Sequence, residues 1–369
     1  MRKTTLFVFC LLGALGTAFA RAPKKPTNSE AAYRVLEEAT VAFETGDYGK
    51  AMQLANEAKD RRRAEATYET YILENALSPR AVKRVGTDFH DVLEILNERD
   101  EHEAIAIINL YLKRFGSEYF SHSVDTMVSW IKEKAVYPEA DFMIGKIYQL
   151  EGEFDVALEF FERACKESAY LDVPDDSFDI LYAMADLAKQ QDKEEVYEQT
   201  LLLILDNDPN FKDTVLQTAL LRTIDYDSEK HVERFFMLFR ALPHHSLEAL
   251  YALGNIYEKQ GESEKALVCA ALGTVESFTH ILGSLDERDA SFSYTTFGAF
   301  LRQAARYADI VEWGSKQHVW DMMFLFAQRI AARGNMLFAQ VLFQIMAETM
   351  PDSYWCAEAA EKVREAKNQ

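Results

Sequence analysis

The chain has 369 residues, 60 of them acidic and 40 basic, for a formal net charge of −20. That acidity excludes nucleic acid as the main partner, because phosphate binding needs clustered positive charge. With 49% hydrophobic residues, 8 prolines and 15 glycines, the chain can bury a large core and suits helices joined by short loops, which excludes a disordered or many-turned β protein.

Residues 1–20, MRKTTLFVFCLLGALGTAFA, start basic at Arg2 and Lys3, continue with an apolar run from Leu6 and end small-x-small at Ala18-Phe19-Ala20. The run is shorter than the roughly 20 residues of a membrane-spanning helix. A cleaved export signal is therefore expected, giving an exported protein, periplasmic or otherwise extracytoplasmic, with no transmembrane helix in its mature form. Phe9 precedes Cys10 where a lipoprotein signal has a small residue, so a lipoprotein is not expected. Loss of Arg2 and Lys3 makes the charge two units more negative. Cys165, Cys269 and Cys356 remain, an odd number without CxxC spacing, which does not read as a disulfide framework, and Cys165 and Cys269, beside Ala164 and Ala270, are expected to be buried thiols.

Residues 21–29, RAPKKPTNS, form an expected disordered leader. Asn28, Ser29 and Glu30 can cap a helix running to Phe43, and Thr45-Gly46-Asp47 turns the chain into a second helix from Tyr48 to Arg61. The Arg61-Arg62-Arg63 triplet, set among Lys59, Asp60 and Glu65, reads as a mixed charged helix end leading into an extra helix before Ser78-Pro79. Helices from about Val85 to Glu98 and Glu101 to Phe115 follow, joined by a turn without glycine. Ser117 to Tyr137 predicts another helix. The stretch PEADFMIGKIYQLEGEFDVALEFFERAC, Pro138 to Cys165, then predicts a helix pair with small residues at Gly145, Ala157 and Ala164 and a turn at Gly152.

Asp172 to Asp176 forms an acidic turn. The next pair starts near Phe178, with Ala185 and Ala188 in its first helix and Tyr197 where the earlier pair has Ala157. Lys212 to Leu242 is helical in pattern but lacks small residues. SLEALYALGNIYEKQGESEKALVCAALG, from Ser246, restores the spacing with Gly254, Tyr257, Gly261, Ala266 and Ala270. It lapses again from Thr274 to Lys316. Trp320 to Pro351 brings it back with Ala327, Gly334 and Ala339, and Tyr354 to Gln369 reads as a capping helix.

Aligned on Pro138, these pairs resemble the tetratricopeptide repeat, a helix pair of about 34 residues with small residues at the helix crossing. The clearest units are 32–65, 138–171, 178–211, 247–280 and 320–353, within an irregular array over 30–353 closed by a capping helix at 354–369. The resemblance implies an all-α solenoid whose units stack because one helix pair cannot cover its own apolar face. It also implies a concave groove lined by positions 2, 5, 9 and 12 of the first helices. Those positions make Glu139, Phe142, Lys146, Asp179, Tyr182, Asp186, Glu248, Tyr251, Asn255, Phe324 and Gln328 the candidate partner-binding residues. Position 5 is aromatic and position 2 acidic in the four units that start at 138, 178, 247 and 320, which suits an extended peptide with basic residues. Asn255 stands where a carboxylate-clamping asparagine would, but position 5 carries no lysine.

The chain holds no GxSxG, HExxH or Gly-rich phosphate loop, so neither an enzyme nor a cofactor is expected. His244-His245 and the Asp225, Asp227 and His231 turn are the remaining metal candidates. They are set aside because adjacent histidines face one ion poorly and acidic turns are ordinary caps. The expected function is a protein-protein interaction scaffold or adaptor of the cell envelope, in complex with a protein or peptide partner. The alternative is a ligand-binding accessory component of a membrane transporter, with a small molecule enclosed where irregular units pack.

Overall fold

Small residues on the facing sides of neighbouring helices set the architecture. The computed structural model describes residues 22–27, 31–78, 80, 88–116, 123–206, 208–225, 231–242 and 244–367, the His231 side chain excepted. Among them all regular structure is helical. The expected export signal lies outside the described residues, as do Asn28, Ser29, Glu30 and Asp227. The helices pack in adjacent pairs, consistent with an all-α solenoid. They divide into two units, one ending at Ile147 and one running from Tyr148 to Gln369.

The first unit opens with α1 (Ala32–Glu44) and α2 (Tyr48–Leu77). Ala39 and Ala42 of α1 and Ala51, Ala55 and Ala58 of α2 are buried, and the absence of bulk there lets the two helices approach closely. The start of α1 is satisfied from α2, since the Ala32 N–H donates to Glu65 Oε1 at 2.8 Å. Where a helix end was expected near Arg61, α2 runs on as one helix of 30 residues. No glycine or proline interrupts it there, and the arginines have partners: Arg61 pairs with Glu57 at 3.0 Å and Arg63 with Asp60 at 2.8 Å, while Arg62 lies over the Tyr137 ring.

Next come α3 (Phe89–Glu98), α4 (His102–Phe115) and α5 (Val124–Glu133). Leu73 of α2 joins Phe89, Leu96, Ile108, Tyr111, Met127 and Ile131 in one apolar cluster. The turn between α3 and α4 has no glycine, so Asp100 takes the left-handed conformation at φ 58. The helix α6 (Pro138–Glu151) crosses the division between the units.

The second unit contains α7 (Phe154–Lys166), α8 (Asp176–Gln190), α9 (Glu194–Leu205), the short α10 (Pro209–Lys212), α11 (Thr214–Asp225) and α12 (His231–Leu238). It continues with α13 (Leu247–Gln260), α14 (Ser263–Arg288), α15 (Phe297–Ala304), α16 (Ala308–Lys316), α17 (Val319–Arg333), α18 (Met336–Thr349) and α19 (Ser353–Lys367). One large core gathers side chains from most of these helices.

At its centre is α14, which is long and apolar enough to cross a bilayer by length and composition. Its Leu267, Leu272, Val275 and Phe278 are instead buried inside the unit. The expected lapse from Thr274 to Lys316 begins as the second half of this helix and continues through α15 and α16. A Cβ at Gly273 would come within 2.0 Å of Met322 Sδ, so the bare glycine is what lets α17 lie against α14. Cys269 is buried on the same helix, and burial pushes its thiol up to about 12.

Candidate functional site

The approach to α13 gathers polar side chains from several helices of the second unit. The segment ahead of α13 is not helical, so its N–H and C=O groups, with the first N–H groups of the helix, need partners from elsewhere. Asn210 supplies two, donating to Leu242 O at 2.9 Å and accepting from the Leu242 N–H at 3.1 Å. Glu276 of α14 accepts the His244 N–H at 2.9 Å on Oε1 and the Ser246 hydroxyl at 3.1 Å on Oε2. Tyr182 of α8 donates its hydroxyl to His245 O at 2.6 Å and accepts the Ala249 N–H at 3.3 Å. Burial pushes the Tyr182 hydroxyl far above its ordinary range.

These anchors frame a cavity of about 450 Å³ lined by residues of α8, α13, α14, α16 and the segment before α13. Phe178 stacks on His245 at 4.8 Å and meets His244 edge-on at 5.1 Å. Across the cavity lining, His280 stacks on Trp313 at 4.0 Å, and burial lowers its pKa. Glu276 is 2% exposed. Burial is the main cause that raises its carboxyl to about 8, with Asp208 adding to it and the His244 and Ser246 hydrogen bonds opposing. Asp179 and Glu248 complete the acidic lining. A wider hollow of about 780 Å³ lies along α1 and its following turn, but it is open and has no comparable convergence of side chains.

The candidate residues divide among different surroundings. Asp179, Tyr182 and Glu248 meet at the cavity. Asp186, one helical turn beyond Tyr182, raises the Glu248 carboxyl by like-charge repulsion after desolvation has done so, and desolvation raises Asp186 itself. Tyr251 stacks on His318 at 4.3 Å, and His318 Nδ1 lies 3.1 Å from Asp321.

Asn255 is engaged inside the fold. Its Oδ1 accepts from Arg329 at 3.3 Å, and the same buried guanidinium donates to Gly254 O at 3.0 Å and Ala266 O at 3.1 Å and pairs with Glu258 at 3.2 Å. Phe324 is a core residue at 3% exposure, packed on Phe343 and Trp355, so its ring opens on no groove. Gln328 is partly exposed on α17. In the first unit, Glu139, Phe142 and Lys146 lie on α6, and the Lys146 ammonium sits over the rings of Phe142 (4.6 Å) and Phe43 (5.3 Å). Asp225, a metal candidate, is held by Arg333 at 2.5 and 2.9 Å.

Sequence reasoning missed Phe178, Glu276, His280 and Trp313. The repeat spacing gives no role to second-helix positions this far from the crossing, and Trp313 falls where the spacing lapses. One signal was present: Glu276 is a lone carboxylate inside the apolar run from Ala266 to Phe278.

Comparison with known proteins adds two findings. Residues 139–169 and 247–270 match the family described as Tetratricopeptide repeat. A protein of Treponema pallidum (strain Nichols), described as uncharacterized, is 26% identical over 347 residues, which cover 93% of this chain and 92% of that protein.

Proposed function

We propose that this tetratricopeptide repeat protein is a non-catalytic, exported scaffold that holds a basic segment of a partner protein against the acidic side of α8 and α13. Tetratricopeptide repeats in general serve protein-protein interaction. The observation that carries the finer reading is the pair Asp186 and Glu248. Both are exposed on neighbouring first helices, Asp186 adds like-charge repulsion to the burial that raises Glu248, with Lys189 opposing the shift at both, and among the described residues no side-chain hydrogen bond holds either one. A lysine or arginine from a partner would relieve that repulsion. Asp179 extends the acidic side toward the start of α8. Export is part of the proposal and rests on residues 1–20.

Crosslinking in intact cells, followed by identification of the attached proteins, tests this reading. The expected result is an extracytoplasmic partner attached through a lysine- or arginine-rich segment, with capture reduced by added salt and by Asp186→Asn combined with Glu248→Gln. Capture indifferent to both salt and the double variant would refute it. Sequencing the mature N-terminus checks export, with Arg21 the expected first residue.

A further inference from the structure

The cavity beside α13 has a lining that selects for the sign of a ligand's charge. Asp179, Glu248 and Glu276 contribute carboxyl groups, and no lysine or arginine lines it among the described residues. An anion would meet the carboxylates of Asp179 and Glu248 with no lysine or arginine to offset them. A purely apolar ligand would also be poorly served, because the buried Nδ1 of His244 has no hydrogen-bond partner and would stay so. Aromatic walls come from Phe178, Tyr182 and Trp313, and His245, Leu247, His280 and Gln317 complete the lining. Aromatic walls with carboxylates suit a cation that carries N–H groups on a hydrocarbon stem. The volume, about 450 Å³, falls in the range of roughly 300–1,000 Å³ usual for small-molecule sites.

We propose that this cavity binds an organic cation, a guanidinium or primary alkylammonium group, held by the carboxylates of Asp179 and Glu248 and the aromatic walls. Two features of the cavity agree. Burial keeps the Glu276 carboxyl up at about 8 with no positive partner, and a bound cation supplies one. Burial also lowers the pKa of His280, which removes a competing positive charge from the Trp313 side. Guanidinium and ammonium groups occur free in solution and at the tips of arginine and lysine side chains. The second source rests on the scaffold reading above, and the first does not.

The test uses the full mature chain at about pH 7.5, with ethylguanidinium chloride as probe and N-ethylurea as its uncharged counterpart. The indole N–H resonance of Trp313, assigned through Trp313→Phe, reports binding. The expected result is a saturable shift with ethylguanidinium and none with N-ethylurea, and a weakening of about fivefold or more in Glu248→Gln with unchanged circular dichroism. No saturable shift, an equal response to N-ethylurea, or unchanged affinity in Glu248→Gln overturns the proposal.

A parallel titration with acetyl-Gly-Arg-Gly-amide separates the sources. Tighter binding than ethylguanidinium assigns the site to a partner's side chain, and binding no tighter assigns it to a free cation. Asp186 does not line the cavity, so loss of protein capture in Asp186→Asn alone speaks to the scaffold reading whatever the probe does here.

Discussion

Glu276 sits among apolar neighbours on α14, and its carboxyl ties down the His244 N–H and the Ser246 hydroxyl. The groups facing it are Tyr182 from α8, Asp208 ahead of α10, His244 before α13, Glu248 on α13 and His280 on its own helix. An unfolded glutamate titrates near 4.5, the folded one at about 8. Between those values the folded protein holds a proton that the unfolded chain has released. The stability that Glu276 contributes is therefore complete below about 4.5 and is lost as pH rises through 8. Urea unfolding at several pH values should show the native protein losing more stability across this window than Glu276→Gln, by at most about 5 kcal/mol. Parallel curves would show that the carboxyl titrates normally.

Arg329 makes a second prediction at this scale. Its four partners lie on α13 and α14, and Arg329→Met would remove the side-chain donor that the Gly254 and Ala266 carbonyls share with their helices and leave Glu258 and Asn255 without it. A loss of about 3–5 kcal/mol in urea unfolding is expected. Neither residue stood out in the repeat spacing, because a buried ion is recognised only by what surrounds it. Phe324 teaches the converse. Its repeat position marks it as a groove aromatic, whereas α19 folds Trp355 over it and makes it core.

At the scale of elements, the helix pairs were legible wherever glycine or alanine marks the crossing and a Gly or Asp marks the turn, as from Ala32, Pro138, Leu247 and Trp320. Helix ends were less so. Both α2 and α14 run on past the length of a repeat helix because no proline stops them and their extensions bury apolar residues, Leu73 and Ala76 in one, Phe278, Ile281 and Leu285 in the other.

Two glycines separate a helix's own preference from packing against its neighbour. At Gly283 on α14 an added Cβ meets nothing within 4 Å, so Gly283→Ala should raise stability by about 0.5–1 kcal/mol in thermal or urea unfolding. At Gly314 on α16 the same Cβ would lie 2.4 Å from the buried indole of Trp320, and Gly314→Ala should lower it by about 1–3 kcal/mol. Equal effects would mean that Trp320 moves aside without cost.

For the whole molecule, a formal charge of −20 places many carboxylates on the outer faces of the helices, where they repel one another. Raising the salt from about 0.01 to 0.15 M, which shortens the screening length from about 30 to 8 Å, should raise the thermal midpoint. A midpoint that falls would mean that ion pairs such as Lys59 with Asp141 outweigh the repulsion. The sequence by itself determined the all-α class, the helix pairs and the acidity, because each depends on residue type and local spacing. Only the tertiary structure decided which polar residues act together. Tyr182 and Glu276 stand 94 positions apart, and they share one cavity because α8 and α14 both support the segment that leads into α13. Repeat spacing places each residue on its helix. Whether its side chain meets water, a ring or a stranded N–H depends on the helices that pack around it.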